Sequence, residues 1–234
     1  MLALTGNYSI PVIPTPLVET TAEPGELREV QPGDIIITQF SSYLNFFWLQ
    51  YKYSPIFVIP KDSTTVTSVS IYSLFLSIIM DIKIIGKETS LNDVIIAAKA
   101  SGIPIVLFPE GTNTNGFGIL QFSHFGDKTD FSGIHFHILS FSHHLSNNIC
   151  PVYVYGGGFS HLFSTVGRVV SKMKVRVALP QDVPKHTDEI DAKFIERCRE
   201  ILSIISRVPM ISVDKESKKL FLDNVKNRNK LHNE

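Results

Sequence analysis

Hydrophobic residues along the chain occur in short runs of about four to six, separated by longer segments in which they recur every third or fourth position. Short runs rich in β-branched residues predict buried strands, and the longer repeats predict helices. We predict strands at 34–38, 56–59, 82–85, 103–107, 149–155 and 174–179, and helices at 42–51, 68–80, 91–101 and 188–206. Residues 134–145 fit either type. This alternation predicts an α/β fold, with a central, mostly parallel sheet flanked by helices.

Capping residues mark the ends of several predicted helices. Ser41 or Ser42 can cap the first helix. Ser90 and Asp93 resemble a capping box that opens helix 91–101, and Gly102 fits its C-terminal stop. Thr187 is placed to cap helix 188–206, whose apolar face comprises Ile190, Phe194, Ile195, Cys198, Ile201, Leu202 and Ile205.

The distribution of proline and of charge divides the chain into three parts. Residues 1–33 contain five prolines and predict an extended lead-in, residues 34–206 form the α/β domain, and residues 207–234 form a basic C-terminal helix or tail. Within the domain, residues 113–130 are polar and glycine-rich. They predict a long loop, a type of segment that is often functional.

Composition excludes several classes of protein. The chain has 22 Lys and Arg against 22 Asp and Glu, so no net charge attracts nucleic acid. Its two cysteines, Cys150 and Cys198, suit buried thiols in a reducing compartment better than a disulfide framework. No signal peptide or membrane-spanning segment is predicted. The aromatic run 43–53 is expected to pack in the core, with contact to a membrane surface as the alternative.

The segment Phe108-Pro109-Glu110-Gly111-Thr112 directly follows the predicted strand 103–107. Ligands of open α/β sheets bind outside the carboxyl ends of strands, so this turn is placed to meet a substrate. The five residues resemble the acceptor-binding block of the glycerolipid acyltransferase family, which moves acyl chains from acyl-CoA to lysophospholipids. The resemblance extends over about residues 34–180, and it implies that Glu110, Gly111 and Thr112 bind the acceptor.

The family's catalytic pair is absent from the matching positions. The family has a histidine followed after four residues by an aspartate, where this chain has Phe40 and Asn45. A phenyl ring cannot accept a proton and an amide carries no charge, so the catalytic base is unknown. The candidate base is His124, in the loop that follows the turn, and Glu110 is a rival if it is desolvated.

Several lysines and the remaining histidines are further candidates for the site. The resemblance places Asn113 where the family has an arginine, and it makes Lys83 and Lys87 the nearest substitutes for a second arginine, with Lys87 expected to bind the acceptor. Cys150-Pro151-Val152 matches a further family block. His135 and His137 share one face of a strand, but no carboxylate or cysteine completes a metal site, so none is expected. The remaining histidines are His143, His144, His161, His186 and His232.

The replaced histidine and the segment Asn113-Thr114-Asn115-Gly116 most resemble a fungal branch, the lysophosphatidic acid:oleoyl-CoA acyltransferases linked to lipid droplets and vacuolar protein sorting. This resemblance implies an acyl-CoA-dependent lysophosphatidic acid acyltransferase that makes phosphatidic acid, with acyl-CoA as co-substrate and no other cofactor. The expected location is the cytoplasmic face of the endoplasmic reticulum or a lipid droplet, held peripherally. A choline or ethanolamine lysolipid is a further possible acceptor. The alternative is a catalytically silent member that binds lysolipid or acyl-CoA and serves in membrane trafficking, because the base is missing.

Overall fold

A computed structural model describes residues 10–17, 26–80, 82–114, 116–143, 159, 161–163, 173–185, 190–217 and 220. Its described strands form a single eight-stranded sheet in the order β1-β8-β7-β2-β6-β3-β4-β5. The strands are β1 (Val12–Thr15), β2 (Ile35–Thr38), β3 (Ile56–Pro60), β4 (Thr65–Val69), β5 (Gly86–Ser90), β6 (Ile105–Leu107), β7 (Phe136–His143) and β8 (Met173–Ala178). The helices are α1 (Tyr43–Tyr53), α2 (Ile71–Met80), α3 (Leu91–Ser101) and α4 (Ala192–Ser206).

The centre of the sheet is parallel. Strand β2 pairs in parallel with β6 and β7, and β6 pairs in parallel with β3. Antiparallel pairs lie further out, between β3 and β4, β4 and β5, and β7 and β8. The predicted α/β class with a mostly parallel central sheet is therefore confirmed.

Two hydrophobic cores cover the two faces of the sheet. Consecutive strand residues point to opposite faces, so Ile35 and Ile37 pack with α3 and α4, while Ile36 packs with α1 and α2. All three isoleucines are fully buried. Helices on both faces explain why β2 is continuously apolar rather than alternating.

Several predicted helix ends are confirmed. Ser90 caps α3 by accepting a hydrogen bond from the Asp93 N–H, and Gly102 ends this helix in the left-handed conformation. Ser42, rather than Ser41, caps α1. The cap of α4 is Asp191, because its carboxylate accepts from the Phe194 N–H at 2.7 Å. Thr187 lies outside the described residues.

The predicted boundaries fail in the region 65–90. Residues 65–69 form strand β4, which includes the first two residues of the predicted helix 68–80, since the threonines and valines here favour extended backbone. Strand β5 covers Gly86–Ser90 instead of 82–85. The ambiguous region 134–145 contains strand β7. The predicted strand 149–155 and the match at Cys150-Pro151-Val152 lie outside the described residues, as does most of the predicted C-terminal helix.

Both segments that flank the predicted domain contact it. Strand β1, from the lead-in, pairs with β8. At the other end, residues 210–213 bond to the 119–121 loop through the Ile211 N–H to the Ile119 carbonyl and the Gln121 N–H to the Val213 carbonyl. These contacts bring the start of the C-terminal segment to the edge of the sheet where β6 ends.

The described helices and cysteine also bear on the membrane and redox expectations. In helix α1, Phe46, Trp48 and Leu49 are buried, so this aromatic run is part of the core as expected. No helix in the described ranges has both the length and the apolar character needed to cross a bilayer. Cys198 is buried, and burial raises the pKa of its thiol to about 12.

Candidate functional site

The carboxyl ends of four parallel strands, β7, β2, β6 and β3, meet at one edge of the sheet. The Phe108–Thr112 turn follows β6 directly, between the ends of β2 and β3, where the sequence predicted it. The Gly111 N–H closes the turn on the Phe108 carbonyl at 3.1 Å, and the Thr114 N–H bonds to the Phe40 carbonyl at 2.7 Å. The turn therefore lies across the end of β2.

Glu110 joins the loops around this turn. Its side chain is 1% exposed, and its Oε2 accepts from the Phe40 N–H at 3.2 Å while Oε1 accepts from the Leu120 N–H at 3.0 Å. Each carboxylate oxygen thus receives a backbone donor from a different loop. Glu110 shapes the turn from beneath, which makes Gly111 and Thr112 the more accessible residues for the predicted contact with an acceptor.

Arg199 of α4 holds the second of these loops in place. Its guanidinium is buried and donates to the backbone carbonyls of Leu120, at 2.8 Å, and Ile211, at 2.6 Å. Glu196 pairs with the same guanidinium at 2.9 Å. Arg199 therefore helps to position the Leu120 N–H beside Glu110, although it lies 89 positions after Glu110 in the chain.

A groove of about 300 Å³ borders the turn on the β3 side, and its lining includes Lys61, Lys215 and His124. A Cβ added at Gly111 would stand 3.1 Å from Cδ of Lys215, so this lysine packs directly on the turn. His124 is bonded through Nε2 to Asp127 at 2.7 Å, and both side chains are partly exposed. The structure thus brings His124 beside the turn, while its role as a base remains a prediction.

Lys87 is not brought to the turn. It lies on the edge strand β5 at the level of Leu107, three strands away from β6, or about 14 Å at the usual strand spacing. The cations that the fold places beside the turn are Lys61 and Lys215. Sequence order could not predict this, because the antiparallel β4 and β5 carry Lys87 outwards and the C-terminal segment folds back.

Phe40, which aligns with the histidine of the family that the sequence resembles, is an apolar packing group. Its ring is 1% exposed and lies 5.1 Å, centroid to centroid, from the rings of both Phe46 and Phe108. The Phe108 ring in turn stacks on Phe57 at 6.0 Å. This aromatic cluster makes the interior behind the turn dry, and Phe40 itself contributes no proton acceptor.

Asn45, at the position of the family aspartate, is bonded to a histidine from another strand. Its Oδ1 lies 2.8 Å from Nε2 of His143, and its Nδ2 donates to the Ser41 hydroxyl at 3.1 Å. Asn45 is fully buried, whereas His143 is only partly buried. Sequence reasoning did not single out His143 for this site. The signal was the alternation along the strand, because His143 follows Leu139 and Phe141 at steps of two residues and these two face α1 in the same core.

The other described histidines lie elsewhere or have structural partners. His137 Nε2 lies 3.0 Å from Asp34 at the opposite edge of the sheet, where a cavity of about 570 Å³ is also lined by His135. Burial raises the pKa of the Asp34 carboxyl, but the hydrogen bonds from His137 and from the backbone of Gln31 and His135 outweigh it and leave that pKa lowered. Across the described ranges, no group of three or more potential ligands could hold a metal ion. His144, His186 and His232 lie outside those ranges.

Comparison with known proteins gives one informative similarity. A protein of Schizosaccharomyces pombe (strain 972) named "Putative lysophosphatidic acid:oleoyl-CoA acyltransferase" is 27% identical over 215 residues. The match covers 83% of this chain and 63% of that protein, so the chain spans less than two thirds of its length. No family model and no solved structure matches the chain. The similarity supports the link to fungal acyltransferases that the sequence resemblance implied.

Proposed function

We propose that the protein transfers a long-chain acyl group from acyl-CoA to lysophosphatidic acid, forming phosphatidic acid in glycerolipid and lipid-droplet metabolism. The observation that carries the proposal is the position of the Phe108–Thr112 turn, at the carboxyl edge of the sheet and beside a groove with basic side chains. The similarity to the fungal protein supports the same reaction class.

The groove is lined by both basic and acidic side chains, and its cation nearest the turn, Lys215, suits the charge of this acceptor. Lysophosphatidic acid carries a phosphate monoester, and lysine ammonium groups bind phosphate as point charges. Lys215 packs on Gly111, and its Nζ donates to the Lys61 carbonyl at 3.1 Å, so the ammonium group is held over the turn. Lys61 is paired with Glu88 at 2.6 Å, which leaves Lys215 and His124 as the groups better placed for an anionic head.

The test is a transfer assay with a series of acceptors. Purified protein receives labelled oleoyl-CoA with lysophosphatidic acid or with lysophosphatidylcholine, beside the variants Lys215→Ala and Lys87→Ala. We expect transfer to lysophosphatidic acid, a raised KM in Lys215→Ala, and unchanged kinetics in Lys87→Ala because that lysine lies at the far edge of the sheet. Preference for the choline lysolipid would contradict the assigned acceptor.

The same assay separates the enzyme from the silent alternative. Lysophosphatidic acid that binds to the wild-type protein without any transfer would contradict the enzymatic proposal and favour a lipid-binding role in membrane trafficking. Binding is measured by the change in thermal unfolding temperature, because a ligand that binds only the folded state raises it.

We also propose that the protein attaches peripherally to the membrane that contains its acceptor, at the endoplasmic reticulum or a lipid droplet. Helix α2 exposes Tyr72, Leu76 and Met80 at four-residue spacing, and Ile82 and Ile85 in the segment after the helix are also exposed. Lys83 is exposed next to them. Apolar side chains flanked by a lysine suit the interface of an anionic bilayer.

Flotation with vesicles of phosphatidylcholine and phosphatidic acid tests this attachment. The triple variant Tyr72→Ser, Leu76→Ser, Met80→Ser is expected to lose binding, whereas Ile96→Ser, which changes an exposed apolar residue of α3, is expected to keep it. Equal flotation of both variants would contradict attachment through α2.

A further inference from the structure

We infer that His143 is the general base of this protein, oriented by Asn45, and that Nδ1 is the atom that accepts the proton. The inference rests on the proposed acyl transfer. It replaces the missing family histidine with one from β7, a strand whose carboxyl end lies at the same edge of the sheet as the Phe108–Thr112 turn. Asn45 lies in the first turn of α1, which begins shortly after Phe40, the residue whose N–H bonds to Glu110 of the turn.

The hydrogen bonds around Asn45 fix which nitrogen of His143 carries the proton. Asn45 donates from Nδ2 to the Ser41 hydroxyl, which leaves its Oδ1 facing His143 Nε2 at 2.8 Å. An amide oxygen only accepts, so His143 must donate from Nε2. In a neutral imidazole, the other nitrogen then has the free lone pair. Nδ1 is therefore the basic atom.

The surroundings of Nδ1 leave that lone pair available. Nδ1 is shielded from solvent, and it has no hydrogen-bond partner among the residues that the structure describes. Burial lowers the pKa of His143 to about 4, so the ring is neutral at physiological pH and can accept a proton. A bound phosphate would favour the imidazolium, because an opposite charge nearby raises the pKa of a histidine.

His143 accounts for both proton transfers of the reaction. Nδ1 takes the proton of the acceptor hydroxyl as its oxygen forms a bond to the thioester carbonyl carbon, which gives an imidazolium and a tetrahedral intermediate. The carbon–sulfur bond then breaks, and the CoA thiolate leaves and takes the proton from Nδ1. The ring returns to its neutral form, so no further reactant is needed.

His124 fits this role less well. It is exposed, its Nε2 is bonded to Asp127, and it lines the groove that also contains Lys215, the cation proposed to bind the acceptor's phosphate. Removal of His124 is therefore expected to raise KM, whereas removal of the base is expected to lower kcat. The two histidines differ in the kinetic constant that they control.

The experiment compares His143→Gln, Asn45→Asp and His135→Gln with the wild-type protein in the oleoyl transfer assay. Glutamine retains an N–H donor for Asn45, so folding is preserved, and kcat is expected to fall by about 10²–10⁴-fold. His135 lies at the opposite edge of the sheet and serves as the matched control, with unchanged kcat. Thermal unfolding of each variant establishes that the fold is retained.

Asn45→Asp provides a readout that a purely structural role of His143 would not move. A carboxylate at position 45 would raise the pKa of the imidazole, so the acid limb of the kcat/KM profile is expected to move to higher pH. Wild-type transfer with undiminished kcat in His143→Gln, or an unmoved profile in Asn45→Asp, would overturn the assignment of the base alone. A wild-type protein with no transfer would overturn the proposed function and the base together.

Discussion

Replacement of Glu110 by Gln tests whether the buried carboxylate stabilises the Phe108–Thr112 turn. The carboxylate receives two backbone N–H groups, from Phe40 at 3.2 Å and from Leu120 at 3.0 Å, in a site that is 1% exposed. The glutamine amide has one oxygen, so it can accept from one of these donors, and its NH₂ group would face the other. A buried hydrogen bond to a charged group contributes about 1.5–3 kcal/mol. One such bond is lost and the second is weakened, which predicts a loss of about 2–4 kcal/mol in the free energy of unfolding.

Urea denaturation followed by fluorescence measures this change. Glu29→Gln removes the same charge from an exposed position and is expected to stay within about 0.5 kcal/mol of wild type. If the Glu110→Gln protein is as stable as the Glu29→Gln protein, the hydrogen bonds of the Glu110 carboxylate do not stabilise the turn. The result also decides how activity data are interpreted, because loss of transfer in an unstable Glu110 variant reports a collapsed turn rather than a lost contact with the acceptor.

Substitutions of Gly111 and Arg199, near the turn, and of Asp34, at the opposite edge of the sheet, have further measurable effects. Gly111→Ala places a side chain at a φ of +69°, so we expect a loss of about 1 kcal/mol in stability and, because the new Cβ displaces Lys215, a KM for lysophosphatidic acid that rises more than kcat falls. Arg199→Met leaves the carbonyl groups of Leu120 and Ile211 without this donor. We expect its urea midpoint to fall clearly more than that of Arg197→Met, a change on the exposed face of the same helix. Equal midpoints would contradict the role of Arg199 in holding the loop in place. The folded-state pKa of Asp34 is lowered, so its stabilisation is present above the ordinary value of 3.8 and is lost as the pH falls through the folded pKa; the stability gap between wild type and Asp34→Asn should close in acid, and a gap independent of pH would contradict this.

The sequence predicted those features that depend on local patterns. The caps of α3, the apolar face of α4 and the position of the Phe108–Thr112 turn after a buried strand all follow from residues a few positions apart. The fold class follows from the alternation of these elements. Strand β4 does not stand out in the sequence because the apolar run of α2 adjoins it. The helical pattern therefore predicts a helix from residue 68, whereas α2 begins at Ile71.

The geometry of the site required information that is not local. Lys215 contacts Gly111 because the C-terminal segment folds back onto the turn. His143 bonds to Asn45 because β7 pairs with β2, although the two strands are far apart in sequence. Local spacing indicates which face of β7 carries His143, but it does not indicate that this residue meets Asn45, and it carries no signal for the contact of Lys215. The resemblance placed Lys87 near the acceptor, whereas the antiparallel pairing of β4 and β5 carries it to the outer edge of the sheet.

The central position of β2 has a consequence for how the protein is synthesised. Strand β2 pairs with β6 and β7, whose residues lie about 70 and 100 positions later in the chain. Ile35, Ile36 and Ile37 therefore emerge from the ribosome long before their partners and present an apolar strand with two open edges. Such late, non-local pairing slows folding and exposes the nascent chain to aggregation. Early capture of this segment by a chaperone would thus help the sheet to assemble with β2 at its centre.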